Sequence, residues 1–83
     1  MEKIIMGISL GQRMQTVLDV QNILSEFGCY IQTRLGLHQT SEDACSNHGL
    51  ILVEFLNNTK DKAIEMEKKL SKIADIQVKT MEF

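Results

Sequence analysis

The chain has 83 residues, 43% hydrophobic and 24% charged, with a formal net charge of −2. This composition excludes a disordered chain and lacks the basic excess of a nucleic-acid-binding surface. The length predicts one domain, residues 1–83, small enough that a partner subunit would add substantially to the surface it buries.

Met1-Glu2-Lys3-Ile4 opens no long apolar segment and no small-residue cleavage site. A cytoplasmic protein without a membrane span is therefore expected, with Cys29 and Cys45 as reduced thiols.

Residues 3–10 alternate, with Ile4, Met6, Ile8 and Leu10 on one face and Ile5 and Gly7 on the other, which predicts a central strand. Residues 13–27 change period. Met14, Val17, Leu18, Val20, Ile23, Leu24 and Phe27 recur at spacings of mostly three and four, the apolar stripe of a helix lying on a sheet. Gly28 is expected to stop it in a left-handed conformation.

A second strand is expected over residues 29–38, with Cys29 as a packing residue and Ile31, Thr33, Leu35 and Leu37 sharing a face. Residues 39–48 read as a long polar loop, of the kind that often carries function. Residues 49–56 are apolar at nearly every position except Glu54 and predict an inner strand. Asn57-Asn58-Thr59 signals a helix start, with Asn58 and Asp61 spaced as a capping box. The helix is expected over residues 60–74, carrying Ala63, Met66, Leu70, Ile73 and Ala74 inward and a Glu65–Lys69 pair outward. Residues 76–83 form the closing strand.

This order, β-α-β-β-α-β, predicts an α+β, ferredoxin-like βαββαβ sandwich. It has a four-stranded antiparallel sheet, the first and third strands central, and two helices on one face. Two helices cover only one face, so either Ile5, Leu50 and Leu52 or Ile51, Val53 and Phe55 must face outward. A patch of that kind predicts association of the chain with itself, as a dimer or tetramer, by sheet face or edge strand.

Three residues stand out chemically. His38, Cys45 and His48 lie at the ends of, or within, the polar loop, and imidazole and thiolate suit Zn, Ni or Cu. Cys45-x-x-His48 is half of a zinc motif, so these three are candidate transition-metal ligands against the plainer reading of a solvated loop. Cys45 with His48 would also supply a nucleophile and a base, but nothing completes a catalytic constellation. No catalytic residue is assigned and an enzyme is not expected. Gly7 and Gly11 lack the spacing of a phosphate-binding loop. Gly36 and Gly49 read as bends at the hairpin base.

At Arg34-Leu35-Gly36-Leu37-His38, Cys45-Ser46, Gly49-Leu50-Ile51-Leu52-Val53 and Val78-Lys79-Thr80-Met81-Glu82-Phe83, the chain resembles the regulators of the iron-only hydrogenase system. These are ACT-like proteins related in fold to the C-terminal domain of nickel-responsive repressors. The resemblance spans essentially the whole chain. It implies a non-catalytic oligomeric module that senses a small-molecule effector, or alternatively a scaffold partner in hydrogenase maturation. By the same analogy the effector site falls at the first strand–helix turn, Ser9, Leu10, Gly11, Gln12 and Arg13. Where the family tends to carry Pro and then Asn or Asp, this chain has Asn47 and His48, so His48 is not carried over as a family ligand. The histidine set and DNA-binding arm of the nickel repressors are not matched, so no direct contact with nucleic acid is implied. No resident cofactor is implied either.

Overall fold

The computed structural model describes residues 3–11, 14–38 and 49–83. They form β1 (Ile4–Leu10), α1 (Met14–Glu26), β2 (Ile31–His38), β3 (Gly49–Phe55), α2 (Lys60–Leu70) and β4 (Ile76–Glu82). The strands make one antiparallel sheet in the order β2-β3-β1-β4, the ferredoxin-like arrangement.

Strand alternation decides which residues meet the helices. Ile4, Met6, Ile8 and Leu10 of β1 and Ile51, Val53 and Phe55 of β3 are all buried. Val20, Leu24 and Phe27 of the first helical region and Ala63, Met66 and Leu70 of α2 close over them. Ile76 and Val78 extend this core at the β4 edge, opposite Leu10 and Ile8 in register. Ile51 and Val53, both candidates for an outward interface, therefore belong to the core. The outward parity is the other one, with Ile5, Leu50 and Leu52.

The helices depart from expectation in detail. Met14 and Leu18 are 72% and 51% exposed, because the face of α1 that meets the sheet runs through Thr16, Val20 and Leu24. Thr16 tolerates burial because its hydroxyl donates to the Ala74 carbonyl at 3.4 Å. Gly28 does not adopt a left-handed conformation. The chain tightens into a 3-10 turn, Gly28–Tyr30, in which the Tyr30 amide donates to the Phe27 carbonyl at 2.9 Å. That turn delays β2 and leaves Cys29 exposed rather than packed.

At the second helix Asn58 is not the cap. It takes φ 65°, a left-handed turn that Asn tolerates, and Thr59 occupies the N-cap position. The Thr59 hydroxyl donates back to the Leu56 carbonyl at 2.6 Å, so no side chain caps α2. The helix ends at Leu70 instead of 74. The Ser71 amide still bonds the Glu67 carbonyl, and Asp75 at φ 69° turns the chain into β4. Lys69 reaches Glu26 at the end of α1 rather than Glu65, which pairs with Lys62 at 3.5 Å. Lys62 also lies 5.3 Å from the centre of the Tyr30 ring; Tyr30 and then Glu65 hold its ammonium pKa above the usual lysine value.

Candidate functional site

The antiparallel pairing of β1 with β4 sets the end of the first strand beside the start of the last. Leu10 faces Ile76 and Ser9 faces Gln77 in register. One step further, the Gly11 amide donates to the Asp75 carbonyl at 3.0 Å. These six residues line a cleft of about 360 Å³, within the size range of small-metabolite sites.

Gly11 matters here through close approach rather than through φ. A Cβ added at Gly11 would fall within the Asp75 carboxylate, which lies directly against the Gly11 backbone. Asp75 holds this position from a left-handed backbone, which Asp adopts more readily than most side chains. Asp75, Ser9 and Gln77 are all exposed. The cleft thus combines a carboxylate, a hydroxyl and a carboxamide on a floor of strand-end backbone, and can recognise a small polar molecule by charge and hydrogen bonding.

Of the five expected effector residues, Ser9, Leu10 and Gly11 line this cleft, while Gln12 and Arg13 lie outside the described residues. Asp75, Ile76 and Gln77 escaped the sequence reading. The topology held their signal, because a βαββαβ sheet makes β1 and β4 antiparallel neighbours.

The candidate metal ligands are only partly placed. The His38 backbone ends β2 opposite Gly49; Cys45 and His48 lie outside the described residues. Gly49, Leu10 and Ile76 continue the same cross-strand row, so His38 and the cleft share one end of the sheet. Among the described residues no group of three or more His, Cys, Asp or Glu side chains is arranged to hold a metal ion. None of the described helices is long and apolar enough to cross a membrane.

The outward sheet face is the second candidate surface. Ile5, Leu50 and Leu52 lie on it, with Leu35 and Met81 from the edge strands. Leu35 is 50% and Met81 52% exposed.

No family model and no curated protein matches the sequence. Solved structures do. An uncharacterized protein of Thermotoga maritima superposes with a TM-score of 0.75 at 22% identity, over 100% of this chain and 99% of that one. The ACT domain of GTP pyrophosphokinase from Chlorobium tepidum gives 0.65 at 20% identity, over 95% and 96%. The regulatory subunit of aspartate kinase from Thermus thermophilus gives 0.59 at 15% identity, where the chain spans 96% of itself and half of that protein. The fold is ACT-like.

Proposed function

We propose that the chain is a non-catalytic regulatory module that binds a small-molecule effector in the cleft at the end of β1 and works as a homo-oligomer. The observation that carries this reading is the cleft itself. It gathers Ser9, Gly11, Asp75 and Gln77 where two strands end, with polar groups presented to a ligand and the Asp75 carboxylate lying against the bare Gly11 backbone. Two of the structural neighbours, an ACT domain and a kinase regulatory subunit, support a sensing role by analogy of fold. The sequence resemblance adds the finer reading, a regulator of the iron-only hydrogenase system in the cytoplasm.

A thermal-shift screen of a metabolite library tests the reading. A compound bound only by the folded chain at about a hundred times its Kd stabilises it by ~2.7 kcal/mol. That shift should be lost in Asp75→Asn or Gly11→Ala with the melting of the free variant still cooperative. Compounds that stabilise wild type and both variants equally would place the site elsewhere. A library without any stabilising compound would favour the scaffold role in hydrogenase maturation. Elemental analysis of untagged protein tests the transition-metal alternative at His38, Cys45 and His48; stoichiometric metal lost in Cys45→Ala would put that reading first.

A further inference from the structure

The outward face of the sheet can be laid out row by row from the strand register. Thr33, Glu54, Ile5 and Met81 form one row; Leu35, Leu52, Gly7 and Lys79 form the next; Leu50, Ser9 and Gln77 share a third. Beyond the first row, Lys3 and Phe83 exchange both backbone hydrogen bonds, at 3.3 and 2.8 Å. The apolar side chains do not run along a strand or across one. Phe83, Met81, Ile5, Leu52, Leu35 and Leu50 form a diagonal band from the β4 end to the β2–β3 end.

The polar groups fall on either side of that band. Thr33 and Glu54 occupy one corner, Lys79 and Gln77 the opposite corner. Strands about 4.8 Å apart and same-face residues about 6.7 Å apart place the band at roughly 40° to the strands. On this spacing Glu54 and Lys79 sit on opposite sides of the band's midline, about 5 and 7 Å from it and at nearly the same point along it, a difference the long lysine side chain spans.

The geometry points to an isologous dimer in which a second copy of this chain covers the face, with the two-fold axis lying along the diagonal band. This deepens the homo-oligomer reading above and is independent of the effector. Rotation about that axis lays the band on itself, so that Leu52 and Ile5 each meet their own counterpart and Leu35 meets Leu50. It also carries Glu54 of each copy over Lys79 of the other, giving two reciprocal ion pairs, and sets Thr33 toward Gln77. The strands of the two sheets then cross at roughly 80°, the orthogonal mode of sheet packing.

Three observations favour a second copy over another occupant. Opposite charges at opposite corners match under one two-fold operation, the self-complementarity an isologous interface needs. The area also suits a dimer. Four strands of seven residues project about 440 Å², and side-chain relief raises the accessible area toward the roughly 800 Å² per partner of a standard interface. Finally, Gly7 lies beside the axis, and a Cβ added there would sit 3.6 Å from Leu52 Cδ2. The Leu52 side chain leans over Gly7, leaving a smooth surface for close approach of the two sheets. Glu54, half-buried, already meets the exposed Lys3 at 3.7 Å through one carboxylate oxygen, and its second oxygen can take Lys79.

Sedimentation velocity of the full chain across a concentration series, at low salt, tests the arrangement. Wild type is expected to dimerise. Glu54→Lys and Lys79→Glu should each raise the dimer Kd about tenfold or more, and the double charge swap should return it to within about threefold of wild type. Leu35→Asp, at a half-exposed position, should also abolish the dimer while its circular dichroism stays that of the folded chain. A monomer at every concentration overturns this arrangement and the homo-oligomer reading together. A dimer indifferent to all these variants overturns the face and its axis alone, leaving self-association by another surface. Single reversals that weaken the dimer without rescue by the double swap overturn the Glu54–Lys79 pairing.

Discussion

The two faces of the sheet are made by the same strands and end differently. On β3, Ile51, Val53 and Phe55 are buried under the helices, while Leu50 and Leu52 between them are only partly covered. On β1 the alternation is sharper, since Met6 and Ile8 have no exposed surface while Gly7 and Ser9 point the other way. The difference teaches that the apolar content of β3 exceeds what the core of one chain uses. Hydropathy shows that a strand is central; only the placement of the helices decides which half of it becomes core.

The comparison is broken most directly on β3. Phe55→Ala should cost about 3–5 kcal/mol, since it removes a fully packed ring under the helices. Leu50→Ala on the other face should cost under about 1 kcal/mol at concentrations where the chain is monomeric. Equal losses in urea denaturation would mean that the open face is as well packed as the core. At the rim where the faces meet, Gly11→Ala should cost up to about 1 kcal/mol, because its methyl displaces the exposed Asp75 carboxylate. Adding Asp75→Gly should recover most of that loss, a coupling readable as a double-mutant cycle. Asn58 belongs to neither face and serves as a control for backbone effects. Asn58→Ala should cost about 1 kcal/mol for its left-handed φ, and Asn58→Gly should be close to neutral by thermal melting. The smallest effect is expected on the open face itself: Lys3→Ala removes a long contact between an exposed lysine and the half-buried Glu54 and should change stability by less than about 0.5 kcal/mol.

Element order, the central position of β1 and β3, and the need for one uncovered face were all legible, because each follows from periodicity and from the geometry of two helices on one sheet. What could not be read were choices between near-equal local options. Gly28 suits a left-handed stop, yet the amide of Tyr30 finds the Phe27 carbonyl through a tighter turn. Asn58 suits a cap, yet its left-handed backbone moves the cap to Thr59. Thr16 is a polar residue in the apolar stripe, and its burial depends on the Ala74 carbonyl fifty-eight residues away. The candidate site divides in the same way. Ser9 to Gly11 follow from the first strand–helix turn, whereas Asp75 to Gln77 join them only through long-range pairing of β1 with β4.

The position of β1 also bears on how the chain reaches this state. It is the first strand in the sequence and lies inside the sheet, but its neighbours are residues 49–55 and 76–82. Until those segments have formed, Ile4, Met6 and Ile8 have no strand beside them. Every pairing of β1 must close a loop of tens of residues, so the chain carries the high contact order that slows folding relative to helical bundles of similar length. The hairpin of β2 with β3 and the two helices can form locally beforehand. Of the four strands, this inner one precedes the others in synthesis and is among the last to be paired.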